Sequence, residues 1–235
     1  MVRGKGALIA SVIEEMAKPT TQRNRSKVLP SASQSDLPIS LADKAEFFFR
    51  DPTKFQSGPS GYISSLYLLR NDMKTMNRIA ADELIWFKAM GVMTGIDMAS
   101  KMLLTADQKA RFEAFIKIYM ISGSATAAHA NDWSTALYYL RNALEHSFAL
   151  AHETGSGANH YKFKVAYNKH SPLISAYVSR TKTTRTRTIT IKRYRVNIKK
   201  LEEAFEAGVK RYFKAIKKGA AFDGNMFDKY GAIRI

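Results

Sequence analysis

The chain has 235 residues, 46% of them hydrophobic and 24% charged, a composition that excludes disorder over most of its length. It contains no cysteine, which excludes disulfides, thiolate nucleophiles and thiolate zinc sites, so any chemistry must use oxygen or nitrogen groups. Its 37 Lys and Arg against 20 Asp and Glu give a formal net charge of +17, which favours a polyanionic partner such as nucleic acid.

Hydropathy gives no sign of a membrane segment. The apolar stretches are all shorter than the roughly 18 residues that span a bilayer. Glu14 and Glu15 interrupt any signal-like core near the N-terminus. We therefore expect a cytoplasmic protein with no membrane partner.

The N-terminal part of the chain differs in composition from the rest. Residues 6–18 place Ile9, Ile13 and Met16 along one stripe and predict a short helix. Residues 19–38 are rich in Pro, Ser and Thr, which is typical of a flexible linker. The expected organisation is an N-terminal helix and linker over 1–38, followed by one domain over 39–235.

Helical patterns dominate the first two thirds of that domain. Ser40 is a favourable N-cap for a helix over "LADKAEFFFRD". Residues 59–103 are helix-forming almost throughout, and Gly91 and Gly95 are expected to break or kink that helix. Thr105 followed by Gln108 forms a capping-box pattern before the next helix.

A further helix is predicted after Asn131 or Asp132, either of which can serve as its N-cap. Leu137, Leu140 and Leu144 follow at helical spacing and predict its buried stripe.

Alternating patterns appear only beyond residue 159, at 161–168, 173–179 and 186–196. The run "RTKTTRTRT" between the last two predicts the tip of a basic hairpin, and helical spacing returns at 199–219. The sequence therefore predicts a mainly α fold: a helical bundle with a small basic β-hairpin insertion, around 160–197, before its last long helix.

The excess positive charge is concentrated in this same segment. Between Thr154 and Leu201 there is no Asp or Glu, and there are twelve Lys or Arg. We expect contacts with RNA phosphates from seven of them: Arg180, Lys182, Arg185, Arg187, Lys192, Arg193 and Arg195. Tyr177 and Tyr194 are available for base stacking. Two alternatives are a solvated hairpin that charge protects from aggregation, and a surface for an acidic protein partner.

A candidate catalytic group lies in "RNALEH", residues 141–146. Asn142 and His146 are four residues apart and share a helix face, and the flexible side chain of Arg141 can reach it. Histidine can transfer a proton near neutral pH, arginine can bind phosphate oxygens, and asparagine can orient the histidine or a ribose hydroxyl. Because the trio has no metal-binding carboxylate, we expect chemistry without a metal or other cofactor. The alternative is a surface ion pair between Arg141 and Glu145, with His146 incidental.

This motif, on a helix within a predicted helical bundle, resembles the signature of the HEPN superfamily (higher eukaryotes and prokaryotes nucleotide-binding domains). The resemblance extends in general layout over residues 40–218, with the last long helix as the closing element. It implies a metal-independent endoribonuclease, hydrolase-like in outcome, in which the RNA 2′-hydroxyl attacks the adjacent phosphate. It also implies a homodimer that completes the site, a role as a toxin or in defence against phages, and control by a protein partner such as an antitoxin. A non-catalytic RNA-binding or assembly subunit that uses the basic hairpin is the alternative.

Overall fold

A computed structural model of the protein describes residues 40–49, 62–79, 84–103, 107–121, 129–147, 149–154, 158–168, 170–177, 179–183 and 188–234. All of these residues belong to one compact unit, Leu37–Ile235. The helix and linker predicted over 1–38 lie outside the described residues.

Seven α-helices are found among the described residues. They are α1 (Leu41–Phe48), α2 (Ser65–Ile79), α3 (Ile85–Lys101), α4 (Gln108–Phe115), α5 (Ala130–Ser147), α6 (Ile198–Ile216) and α7 (Gly224–Tyr230), and a π-helical turn, Ile116–Met120, extends α4. None of the described helices combines the length and apolar character that crossing a membrane requires.

Side-chain caps set several of these helix starts. The hydroxyl of Ser40 accepts a hydrogen bond from the backbone N–H of Asp43 at the start of α1, at 3.1 Å. Asp107, and not Thr105, caps α4 by accepting from the N–H of Ala110 at 2.8 Å. Helix α5 begins at Ala130, so both of its predicted caps, Asn131 and Asp132, lie inside the first turn and the prediction of either as N-cap is wrong.

The expected break at Gly91 and Gly95 is wrong. Both glycines lie inside α3, which is continuous, and the interruption falls earlier, between the end of α2 at Ile79 and the start of α3 at Ile85. A Cβ atom built on Gly95 would lie 2.6 Å from the ring of Phe205 in α6. Glycine is needed here because it lets a large aromatic side chain pack against the helix backbone.

Within the described ranges, seven strands form two sheets. The strands are β1 (Tyr62–Ser64), β2 (Ala151–Glu153), β3 (Asn159–Ala166), β4 (Ile174–Ala176), β5 (Arg180–Thr183), β6 (Thr188–Asn197) and β7 (Ala232–Arg234). β1 and β7 pair antiparallel. The other five form one mixed sheet in the order β2-β3-β6-β4, with β5 also paired to β6.

The central pair of the mixed sheet is parallel. β3 pairs with β6 over eight residues, from Asn159 beside Thr190 to Ala166 beside Asn197. β4 and β5 both pair antiparallel with the other edge of β6. β6 therefore has neighbours on both sides, and α6 follows it directly, with Asn197 as the N-cap.

The prediction of a mainly α helical bundle with a hairpin insertion is wrong, because the β segment is an integral layer of the fold. Tyr161, Phe163, Tyr194 and Val196 are at most 5% exposed and belong to the same hydrophobic core as the helices. The strands alternate as expected, but the parallel pairing joins segments about 30 residues apart, which no local pattern reveals. The protein is thus an α/β mixture.

We expect Gly95→Ala to lower the free energy of unfolding, by on the order of 1 kcal/mol. The overlap with Phe205 costs about 1 to 3 kcal/mol, and the better helix propensity of alanine returns about 1 kcal/mol. Gly91→Ala is the matched control, since its Cβ would meet the flexible side chain of Met73 at 3.1 Å. Urea unfolding measures the free energy of unfolding of both variants. If Gly95→Ala is as stable as Gly91→Ala, the assigned role of Gly95 is contradicted.

Candidate functional site

The mixed sheet has two chemically different faces. Side chains alternate along a strand, and paired residues of neighbouring strands point to the same side. Tyr161 and Phe163 in β3 and Tyr194 and Val196 in β6 face the core. The residues between them therefore face away from it.

That outer face carries six cations, which together we call the cationic face: Lys162, Lys164, Arg180, Lys182, Arg193 and Arg195. Lys162 pairs with Arg193 and Lys164 with Arg195. In β5, Arg180 lies beside Ile191 and Lys182 beside Ile189. Both isoleucines point to the same face of β6 as Arg193 and Arg195, so Arg180 and Lys182 lie on that face as well. Five of the six are exposed and Arg193 is partly exposed. The four strand positions 189, 191, 193 and 195 span about 20 Å, at about 3.3 Å per residue.

Acidic groups are almost missing from this surface. Within the described residues, none of the six cations lies within 4.0 Å of a carboxylate. Glu153 in β2 is the one acidic residue that the described strands place on the outer face. Its Oε1 lies 3.4 Å from Nε2 of His160 at the far edge of the sheet. The positive potential of the face is therefore uncompensated over most of its length.

Tyr177 lies among these cations. Its backbone N–H donates to the carbonyl of Arg193 at 2.9 Å, which continues the β4–β6 pairing. The centre of its partly exposed ring is 5.7 Å from Nζ of Lys164 and 5.9 Å from Cζ of Arg195. The ring thus makes cation–π contacts with two neighbouring positive charges.

Tyr194, the other tyrosine considered for stacking, lies in the core. It is 2% exposed, and its hydroxyl donates to Oδ1 of Asp132 in α5 at 2.8 Å. Burial, followed by the hydrogen bond to Asp132, raises the pKa of Tyr194. Burial likewise raises the pKa of Tyr161 to about 12. Both phenols therefore stay neutral at neutral pH. Through them the inner face of the sheet contacts Asp132 and Tyr139 of α5.

The structure brings together four of the seven predicted RNA-binding residues: Arg180, Lys182, Arg193 and Arg195. Lys192 points to the opposite face, where its Nζ is 4.0 Å from Asp132 and 5.6 Å from the ring centre of Tyr161. Arg185 and Arg187 lie outside the described residues.

Two members of the cationic face, Lys162 and Lys164, were not among the seven. The signal for them is the alternation "YKFKV", which puts these lysines opposite the buried Tyr161 and Phe163. It becomes informative only once β3 is known to lie beside β6.

The candidate catalytic residue Arg141 is held in a polar cluster between α5 and α3. Its side chain is 11% exposed, and Nη2 lies 2.7 Å from Glu145 Oε2 and 3.6 Å from Asp97 Oδ1. Nη1 donates to Oδ1 of Asn142 at 3.0 Å. We call Arg141, Asn142, Glu145 and Asp97 the Arg141 cluster. The Arg141–Glu145 pair that the sequence left open is present, but it is largely buried.

Asp97 connects this cluster to neighbouring elements. Its second carboxylate oxygen lies 3.0 Å from Nζ of Lys101, and Oδ1 accepts from Gln108 Nε2 at 3.3 Å. No sequence pattern links Asp97 to Arg141, 44 positions later, because only the packing of α3 on α5 brings them together. Glu145 and Asp97 therefore compete with a phosphate for Nη2 of Arg141.

The structure describes Asn142 of the predicted catalytic trio fully and His146 only at its backbone. Asn142 is partly buried beside Arg141. The backbone of His146 lies in the last turn of α5, but its side chain is outside the described part of the chain. Across the described ranges, no group of three or more His, Asp or Glu is arranged to hold a metal ion.

The chain was compared with protein-family models, curated proteins and solved structures, and none of them matches it. The likeness to HEPN domains thus rests on the motif "RNALEH" and its helical setting. The mixed sheet departs from the helical bundle that this likeness implied.

We expect Arg141→Met to lower the free energy of unfolding by about 3 kcal/mol. The change removes a guanidinium from two carboxylates whose side chains are 8% and 25% exposed, and a buried charge that loses its partner is costly. Glu145→Gln in the same chain should recover part of this loss. Urea unfolding of the four proteins of this double-mutant cycle gives the coupling energy, and a value near zero would contradict the buried pairing. Lys109→Met, which alters a more exposed pair 3.9 Å from Glu113, is the control.

Proposed function

We propose that the protein binds RNA through its cationic face. The observation that carries this proposal is the gathering of six cations without a carboxylate partner on one side of the sheet. Cations that meet phosphates release condensed counterions, and this release drives association. The paired strands fix the backbone positions of these cations, so little backbone freedom is lost on binding.

Tyr177 favours a nucleic acid over an acidic protein as the partner. Its ring lies between Lys164 and Arg195, and nucleic-acid surfaces combine basic groups with aromatic rings in this way. RNA is proposed over DNA because "RNALEH" resembles a ribonuclease signature.

A second candidate function is metal-independent endoribonuclease activity of the HEPN type, in a homodimer that completes the site and under the control of a protein partner. It is supported by the hydrogen bond between the buried Arg141 and the partly buried Asn142. In this proposal His146 takes the proton of the RNA 2′-hydroxyl, whose oxygen attacks the adjacent phosphorus as the 5′-oxygen leaves and takes a proton from water. The products are a 2′,3′-cyclic phosphate and a 5′-hydroxyl, and Arg141 stabilises the charge on the phosphate oxygens.

The ion pairs of Arg141 affect this second candidate in two ways. Glu145 and Asp97 hold the guanidinium in one orientation, and a positioned cation needs less reorganisation when charge develops. The same carboxylates compete with a phosphate for Nη2.

The RNA-binding proposal predicts that Arg193→Gln combined with Arg195→Gln weakens single-stranded RNA binding about tenfold, because two charge-assisted contacts are lost. The slope of log affinity against log salt should become shallower by about 1.4, or about 0.7 per cation. Fluorescence anisotropy over a salt series measures both quantities.

The matched control for this pair is Lys214→Gln combined with Lys218→Gln, which removes the same charge from exposed positions near the far end of α6. It should leave affinity within about twofold of the wild type. Equal weakening by the two double variants would show that only net charge matters and would overturn the proposed site.

The endoribonuclease candidate predicts cleavage of single-stranded RNA in EDTA, with cyclic phosphate ends that resist phosphatase until they are opened by acid. His146→Ala should abolish cleavage and leave RNA affinity unchanged, because a proton-transfer group contributes to the reaction more than to binding. His170→Ala, at an exposed histidine, is the control. Cleavage that survives His146→Ala would rule out this candidate and leave the RNA-binding proposal intact.

A further inference from the structure

We infer that the cationic face selects single-stranded RNA by stacking an unpaired base on Tyr177. This inference rests on the proposed RNA binding and adds a substrate class and a specificity-determining residue to it. It is carried by the position of the Tyr177 ring relative to the cations of two neighbouring strands.

The ring of Tyr177 meets cations from two neighbouring strands. Its backbone continues β4 at one edge of β6, as its hydrogen bond to Arg193 shows. Lys164, whose Nζ is 5.7 Å from the ring centre, belongs to β3 at the opposite edge of β6. The side chains of Tyr177 and Lys164 therefore approach each other across β6, where Arg195 lies 5.9 Å from the same ring.

A nucleotide can satisfy both parts of this arrangement at once. Lys164 and Arg195 lie over the ring in the free protein. On binding, these flexible side chains turn to the phosphates on either side of the base, and the base takes their place on the ring. Every base has a π-face, so such stacking tolerates any sequence. Cations next to the ring also attract the negative edge groups of a stacked base.

Duplex RNA cannot use Tyr177 in this way. Its bases are stacked on each other inside the helix, and the deep, narrow major groove of A-form RNA keeps side chains from them. A duplex can meet the six cations only through its phosphates. The face should therefore bind both forms by charge and add a stacking contribution for the single strand alone.

A structural role for Tyr177 gives a different outcome. In that case the ring would only screen Lys164 from Arg195, and its removal would disturb the charge pattern and weaken every polyanion alike. Tyr177→Phe keeps a ring at the same position, whereas Tyr177→Leu keeps apolar bulk and removes the stacking surface. This pair of variants separates the two roles.

The test uses the full chain and three probes: single-stranded RNA of about 12 nucleotides, an RNA duplex of the same length, and inorganic polyphosphate of similar charge. We expect Tyr177→Leu to weaken single-strand binding about 5- to 100-fold. Duplex and polyphosphate binding should stay within about twofold of the wild type, the salt slope should not change, and Tyr177→Phe should behave as the wild type. Thermal unfolding confirms that each variant is folded.

Other outcomes decide against the inference in distinguishable ways. If Tyr177→Leu leaves single-strand affinity unchanged, or weakens all three probes equally, the stacking role is overturned. In either case, weakening by the Arg193 and Arg195 double variant would leave the RNA-binding proposal standing. If the wild-type protein binds none of the probes, the inference and the proposed function both fail.

Discussion

The parallel pairing of β3 with β6 is the constraint on which the rest of the structure depends. It places Phe163 beside Tyr194 and Val165 beside Val196, so one side of the sheet becomes an apolar layer. The same register necessarily places Lys162 beside Arg193 and Lys164 beside Arg195 on the other side. A shift of one residue would bury the cations and expose the core residues, which makes this register strongly favoured.

The buried face of the sheet is joined to the helices by aromatic packing and a few polar contacts. Tyr139 of α5 lies 4.3 Å from Tyr161, centre to centre, and Tyr194 donates to Asp132 at the start of the same helix. Helix α6 leaves β6 at Asn197 and packs Phe205 against Gly95 of α3. The cationic face is thus one side of a sheet whose other side packs against α5 and α6.

The two candidate functions use different parts of this framework. The cationic face depends on the sheet register and on exposure, whereas the Arg141 cluster lies between α3 and α5 and is mostly buried. Its buried ion pairs give it a structural role whether or not it also acts on RNA, because a guanidinium between two carboxylates must be satisfied when it leaves water. A substitution of Arg141 therefore changes stability as well as the proposed cleavage. A substitution of His146 tests the proposed cleavage more directly.

Local sequence by itself determined most of the secondary structure and the charge of the strand segment. Ser40 begins a helix where a capping side chain was expected, Leu137, Leu140 and Leu144 form a buried stripe, and the alternation beyond residue 159 gives strands. These features depend on neighbours within a turn or along one strand, which the sequence displays directly. The Arg141–Glu145 pair, one helical turn apart, is of the same kind.

Only the tertiary structure decided which strands pair, which cations share a face and which groups surround Arg141. The sequence predicted a basic hairpin, and β5 does pair antiparallel with β6, but β6 also pairs with β3, which changes the fold class from a bundle to an α/β mixture. Lys192 and Tyr194 were expected on the binding surface but lie on the inner face of the sheet. Lys162 and Lys164, which were not expected there, lie on the cationic face. Asp97 reaches Arg141 from another helix. Each of these outcomes is a contact between distant segments, set by the burial of apolar surface over the whole domain, so no window of local sequence contains it.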